Sequence, residues 1–398
     1  MTKSKGGHDT ADPRSSKGSD AQLCRAAVCI VGGGPAGASV AIDLARRSIP
    51  CIVLESSTGP AAKIGECLPP NSQPLLHELG LIDPVRKGGH LVALGRHSAW
   101  GSSALIERDY LFSPYGGGWH LDRARFEGHL ADRAISLGAD YRYGSRVVGP
   151  ASSQRGGWSL EAAGPHGKFR IECDSLVDAS GRPARFARQL GATQIRYDTQ
   201  IAIWSKLEPG SEIVKSDAYT LVESVKTGWW YSSRLPDGAL MIIYFTDRDL
   251  ADVSLLTTRH GWAKSLDETD HTRRRITGGI AVQVAWPQRF SSPKILAANN
   301  ARLNVIAGDG WLAVGDAATA FDPLSSYGMS ASLAAGARAG EAIARFLRGH
   351  ASAIKGYAAR ILRAYDEYLA LHRDHYLAEA RWRDEPYWLR RHKAKLRS

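Results

Sequence analysis

Hydrophobic period changes sharply near the start of the chain. Residues Ala26 to Val31 form an unbroken apolar run, the pattern of a parallel strand buried on both faces. A glycine cluster, Gly32-Gly33-Gly34-Pro35-Ala36-Gly37, follows at once. Ala38, Ala41, Leu44 and Ala45 then recur at helical spacing until Ser48-Ile49-Pro50 interrupts them. A second apolar run, Cys51-Ile52-Val53-Leu54, ends in Glu55. The pattern predicts strand, turn, helix and strand within about 30 residues.

Later segments reuse this vocabulary. Residues 122–137 read as an amphipathic helix with Asp122 as its N-cap. Residues 140–185 read as short strands broken by glycine turns, ending at Leu176-Val177-Asp178-Ala179-Ser180-Gly181-Arg182. From 197 to 290, strands rich in Ile, Val, Trp and Tyr alternate with turns, Pro236-Asp237-Gly238 among them. A strand, a turn and an alanine-rich helix fill Leu312 to Phe346, and the rest is helical and basic. The fold class expected is α/β, with a Rossmann-type three-layer domain, an inserted β-rich substrate domain and a helical C-terminal segment. The expected boundaries are a flexible basic leader at 1–24, a nucleotide-binding domain split into 25–190 and 290–346, the substrate domain at 191–289 and the C-terminal segment at 347–398.

Composition narrows the picture. A chain of 398 residues, 43% hydrophobic, has ample material for two or three domains with a core. Its 51 Lys and Arg exceed 40 Asp and Glu by +11, but the ends hold most of that excess. Residues 1–25 carry five bases against three acids, and 381–398 carry seven against two. The body is therefore nearly balanced, which argues against a nucleic-acid groove. Five scattered cysteines form no C-x-x-C pair or metal-ligand spacing, so no metal is expected and a reducing cytoplasm fits them. No signal-peptide core and no 18-residue apolar stretch occurs, so no transmembrane segment is expected.

Taken alone, Gly32-x-Gly34-x-x-Gly37 is compatible with a structural turn, but its position between a buried strand and a helix gives each residue a task. Gly32 permits the tight turn, Gly34 lets the backbone approach a pyrophosphate, and Gly37 allows close helix–strand packing. The helix start, which Pro35 opens and whose free N–H groups begin at Ala36, offers those groups to phosphate. Glu55, at the end of the second strand, accepts hydrogen bonds from a ribose diol and disfavours a 2′-phosphate, so FAD or NAD is expected rather than NADP.

A second cluster, Leu312-Ala313-Val314-Gly315-Asp316-Ala317-Ala318 followed by Phe321-Asp322-Pro323-Leu324-Ser325-Ser326-Tyr327-Gly328-Met329, resembles the Gly-Asp motif of the FAD-dependent monooxygenases, which include aromatic hydroxylases and flavin-dependent halogenases. The resemblance implies that Gly315 and Asp316 hold the ribityl chain of FAD. It also implies that Pro323, Gly328 and Met329 face the flavin pyrimidine edge, where a helix dipole stabilises a reduced, anionic flavin. His120-Leu121-Asp122-Arg123, Asp178-Ala179-Ser180-Gly181-Arg182 and Gly65-Glu66-x-Leu68-Pro69-Pro70 are similar to further family segments, which adds Arg123, Asp178 and Glu66 to the cofactor set. Val147 is included with them.

Two departures bear on activity. Halogenases of this family use a lysine after the Gly-Glu segment; the candidate here, Lys87, reads as a solvated helix end in Arg86-Lys87-Gly88-Gly89. Trp229-Trp230-Tyr231-Ser232-Ser233-Arg234-Leu235-Pro236 stands in place of the halogenase Trp-x-Trp-x-Ile-Pro signature. Trp229, Trp230 and Tyr231 face alternate sides of a strand, as one wall of a substrate pocket or as ordinary sheet core. Cys67 is either near the flavin or a buried structural thiol. The histidines form no triad, and no catalytic side chain is assigned.

The resemblance implies a monooxygenase. NAD(P)H or a partner reductase reduces FAD, O2 adds to it, and the C4a-hydroperoxide hydroxylates an electron-rich aromatic ring. Within the family, the Gly-Glu segment together with Trp230-Tyr231 and Leu235-Pro236-Asp237-Gly238 is most similar to flavoproteins that mature quinone cofactors in partner oxidases. That implies a tryptophan side chain of a partner protein as substrate, with a small aromatic metabolite as the other reading. Halogenation, reduction of a carbon–carbon double bond, and a non-catalytic flavin-holding assembly factor remain alternatives. The tail interleaves Trp382, Tyr387 and Trp388 with bases, which fits either a helix covering the flavin domain or a dock for an acidic protein partner.

Overall fold

The computed structural model describes residues 22–149, 151–154, 156–209, 218–277 and 286–393. Most of the expected leader lies outside them. The first strand, Gln22–Val31, starts before the apolar run because its exposed early residues continue to pair, Gln22 opposite Phe169.

Among the described residues, the first sheet has nine strands. Gln22–Val31 lies parallel to both Gly167–Asp178 and Cys51–Leu54, and Trp311–Ala313 lies parallel to Gly167–Asp178. The register sets Val31 beside Leu54 and Asp178, and Asp178 beside Ala313. The glycine turn, Glu55, the Asp178 loop and the Gly315 turn therefore all leave the sheet at one edge, the carboxyl ends where ligands of α/β folds bind. Helix Pro35–Arg46 packs against helices Gly328–Leu347 and Arg123–Ser136.

A second sheet runs, in spatial order, Lys294–Ala297, Gln200–Leu207, Leu240–Asp247, Gly228–Arg234, Tyr219–Val225, Gly95–Ala99 and Ile106–Asp109. It takes strands from 95–109 and 294–297 as well as from the expected 191–289. One face buries Trp230 against Tyr244 and Trp262; the opposite face packs Trp229, Tyr231, Ile243 and Phe245 toward the C-terminal helices.

Helix Ser352–Leu377 packs against Gly328–Leu347, and Pro386–Lys393 folds back onto it. Of the tail's cations, expected at a helix covering the flavin domain or at a dock for an acidic partner, three pair within the chain. Arg391 faces Asp247 at 2.9 Å, Arg390 faces Asp249 at 2.6 Å, and Arg381 faces Glu379 at 2.6 Å. Tyr387 and Trp388 are buried, and the Trp388 indole donates to the Val225 carbonyl at 2.9 Å. Burying two aromatic anchors is favourable enough to seat the segment, and the protein's own acids answer these three cations. Among the described residues no helix is long and apolar enough to cross a membrane, and no group of three or more His, Cys, Asp or Glu is placed to hold a metal ion.

Candidate cofactor site

The glycine turn is shaped by backbone contact. Gly32 has φ +109°, and a Cβ there meets the Ala179 carbonyl oxygen at 2.1 Å. A Cβ on Gly37 meets the Gly32 oxygen at 1.9 Å, whereas one on Gly34 finds nothing within 4 Å. The turn thus seals itself below and stays open above. Helix Pro35–Arg46 starts with no side-chain cap, leaving its first N–H groups directed at that space. The Gly33 N–H donates to Glu55 at 2.7 Å, and Ser57 donates to the same carboxylate through its N–H at 2.8 Å and its hydroxyl at 2.9 Å. Burial pushes the Glu55 carboxyl up, but these donors and Lys63 outweigh it and hold the group below its usual value. An ionised acceptor therefore stands at the end of the second strand, beside the glycine turn. Val147 pairs with Ala162, two residues beyond Ser145, whose N–H donates to the Glu55 carbonyl at 2.9 Å.

The Gly-Asp turn meets the glycine turn directly. Gly315 has φ +61°, and a Cβ on it lies 2.7 Å from the Ala36 Cβ. Asp316 opens onto the cleft with 39% of its side chain exposed and Arg182 Nε 3.5 Å away. The surrounding protein raises its carboxyl above the usual value against the pull of Arg182 and Arg123. Beyond the loop that begins at Pro323, helix Gly328–Leu347 starts without a side-chain cap, and a Cβ on Gly328 also finds nothing within 4 Å. Ser330 ties this start to Ser72 at 2.7 Å, and Met329 packs against the core.

Arg123 reaches across from the third wall. Its guanidinium donates to the carbonyls of Ile64 at 2.6 Å and Gly65 at 3.0 Å and pairs with Glu127, which also holds Lys63 at 2.6 Å. Arg123 Nε is buried with no protein partner. Glu66 lies beneath, buried, accepting from the Ser233 hydroxyl of the second sheet and the Gly65 N–H. Cys67 beside it is pushed up to about 12 by burial and by Glu66, so it carries no thiolate at neutral pH.

Three expected residues sit differently. The Asp178 carboxylate does not face the cleft; four donors saturate it, the Ser180 N–H and hydroxyl and the N–H groups of Phe186 and Ala187. It shapes the neighbouring loop from within. Trp230 lies on the far face of its sheet, so it leaves the pocket set, and Trp229 is fully buried, stacked on Phe245 at 3.9 Å between ring centres. Tyr231 is the partly exposed member of the three. Lys87 is exposed at the end of helix Ile82–Lys87, as its sequence context implies.

Sequence reasoning missed Lys63, Glu127 and Tyr141, whose hydroxyl donates to the Gly33 carbonyl. It also missed a stripe of tyrosines on Ser352–Leu377, although their spacing along one helical face was visible.

Two open glycine cradles, two uncapped helix starts and an orphaned buried guanidinium nitrogen, gathered at the carboxyl edge of a parallel sheet, define a dinucleotide-binding flavoprotein cleft that fits FAD. Residues 25–367 match the family of the FAD binding domain, and the chain belongs to that family. It is an FAD-dependent oxidoreductase whose relatives are halogenases and monooxygenases. LodB of Marinomonas mediterranea, described as an FAD-dependent oxidoreductase, is 27% identical over 371 residues, covering 91% of this chain and 96% of its own. The myxobacterial chondrochloren halogenase CndH superposes with a TM-score of 0.82 at 20% identity, covering 92% of this chain and 86% of its own. The peptidyl tryptophan dihydroxylase QhpG superposes with a TM-score of 0.75 at 23% identity, covering 93% of this chain and 79% of its own.

Proposed function

We propose that this enzyme is a monooxygenase that hydroxylates an electron-rich aromatic ring, with a tryptophan side chain of a partner polypeptide as its substrate. Lys87 is the observation that carries the reading. It is the only lysine between Glu66 and Gly118, and it stands exposed to solvent at a helix end, unlike a lysine that must hold a halogenating species away from water. The apolar second-sheet face that carries Tyr231, with Ile64 and Leu324 packed against the same cluster, supports an aromatic substrate. The tryptophan is favoured by similarity to the peptidyl tryptophan dihydroxylase QhpG.

Bound FAD supplies the chemistry by activating O2 after reduction. Overall, an aromatic C–H, O2, NAD(P)H and a proton give a C–OH, water and NAD(P)+. The protein's residues bind and orient. Glu55 would accept from the ribose, the Gly34 turn and the Pro35–Arg46 helix start would meet the pyrophosphate, and Asp316 with Arg123 would hold the ribityl chain. Pro323, Gly328 and Met329 would border the ring edge, and the apolar sheet face would exclude water from the reacting ring.

The test mixes purified holoenzyme with NAD(P)H, O2 and tryptophan-bearing peptides or free aromatic metabolites. Peptide-stimulated NAD(P)H oxidation with a peptide heavier by whole oxygen atoms is the expected result. Stimulation by a small metabolite alone overturns the polypeptide substrate, and a halide-dependent mass gain overturns hydroxylation.

A further inference from the structure

The loop between Asp316 and helix Gly328–Leu347 is held from outside the dinucleotide fold. Asp322 is 1% exposed, yet its carboxylate is fully supplied with donors. One oxygen takes the Leu324 N–H at 2.8 Å, which closes the loop's own turn. The other meets His372 Nε2 at 3.0 Å, the Tyr376 hydroxyl at 3.0 Å and the Gln200 side-chain amide at 3.2 Å. The Asp322 N–H in turn donates to Asn300 Oδ1 at 2.9 Å and to the Tyr368 hydroxyl oxygen at 2.8 Å. Burial pushes the Asp322 carboxyl up, but the His372 contact, the Leu324 N–H and Arg391 outweigh it and keep the group below its usual value.

Three of these partners come from one face of helix Ser352–Leu377. Further back on the same face, Tyr357 donates to the Ala313 carbonyl at 3.0 Å and Tyr365 to the Ala320 carbonyl at 3.1 Å. Tyrosines and a histidine thus follow the 313–322 segment from strand end through the Asp316 turn to the loop. Gln200 extends the network, since its carbonyl oxygen takes the Tyr387 hydroxyl at 2.6 Å and Arg391 at 3.1 Å, and Arg391 holds Asp247. A buried polar network satisfied at this many points fixes one geometry and penalises others.

We propose that Asp322 and His372 are positioning residues for the flavin: their contact, braced by Tyr376 and Gln200, sets the loop from Pro323 and with it the uncapped helix start at Gly328 that meets the flavin ring. The proposal rests on the placement of Pro323, Gly328 and Met329 at the ring edge and not on the hydroxylation reading.

The experiment compares wild-type holoenzyme with H372L, H372Q and Y357F, measuring FAD dissociation, the visible flavin spectrum and the flavin reduction potential. H372L removes the donor and should weaken FAD binding on the order of tenfold, with displaced absorption bands and a shifted potential. H372Q, whose amide can donate from a similar reach, should recover most of both. Y357F removes a hydrogen bond of the same helix that ends on the Ala313 carbonyl rather than on the loop, and should displace spectrum and potential far less than H372L. H372L matching wild type in spectrum and potential overturns the proposal, as does an H372Q displaced as far as H372L. If H372L does not fold, Y376F decides: a smaller displacement in the same direction supports the proposal, and none overturns it. These readouts need no substrate, so they fail independently of the proposed reaction.

Discussion

Replacing Gly37 by alanine puts a methyl carbon 1.9 Å from the Gly32 carbonyl oxygen and 3.1 Å from the Ala179 Cβ. Neither obstacle can swing aside as a long side chain does, so the helix must move off the turn. Overpacking costs about 1–3 kcal/mol, and a main-chain clash this close puts G37A at the upper end. Replacing Gly34 puts the methyl where nothing lies within 4 Å, at a φ of −67° that alanine adopts freely. Ligand-free G34A should therefore lose no more than about 1 kcal/mol, the difference between glycine and alanine at an N-cap. With FAD bound, the same methyl occupies the approach of the pyrophosphate, and an overpacking cost of about 1–3 kcal/mol becomes roughly 5- to 150-fold weaker binding. Thermal melting of the ligand-free proteins and FAD titration by flavin fluorescence separate the two effects. The expected outcome is a G37A that melts early and a G34A that folds but binds FAD poorly. A G34A that binds like wild type, or a G37A that melts with wild type, refutes the reasoning.

D316N should weaken FAD binding while stabilising the ligand-free protein, because the Asp316 carboxyl sits above its usual value and its ionisation opposes folding. By the same sign, the stability advantage of ligand-free D316N over wild type should grow as pH rises from the ordinary value of 3.8 through the raised one, read as the difference between their melting curves. W230F should cost about 1–2 kcal/mol in urea unfolding by thinning a buried stack, with turnover kept, whereas Y231F should keep stability and raise KM for the aromatic substrate. R391M should cost about 3 kcal/mol of unfolding free energy, the low end for breaking a buried pair, because Arg390 still faces Asp247 at 3.1 Å.

The parts of the site legible in the sequence were those with local causes. The turn from Gly32 to Gly37 needs its glycines for contacts made within a few residues or with the adjoining strand, and the apolar runs on either side announce a buried parallel sheet. Long-range pairing left no such mark. Gly95–Ala99 joins Tyr219–Glu223 in parallel across more than a hundred residues, so the second sheet outgrew the block rich in β-pattern. Alternation along Gly228–Arg234 separated Trp230 from Trp229 and Tyr231, but which face met the cofactor depended on packing against helices far along the chain. Asp178 shows the limit of a motif: an acid at a strand end suits a ligand or a loop cap equally, and only the four inward donors decide. The tail shows the same for charge, since Arg381, Arg390 and Arg391 look like a free basic surface until Glu379, Asp247 and Asp249 are brought beside them.

Turnover under heavy-isotope dioxygen, with mass spectrometry of a tryptophan-bearing peptide substrate, tests the central claim most directly. Hydroxylation predicts that the added oxygen carries the isotope and that the label maps to the indole ring, in step with NAD(P)H consumed. An unlabelled product, or one that gains a halogen when halide is supplied, contradicts it.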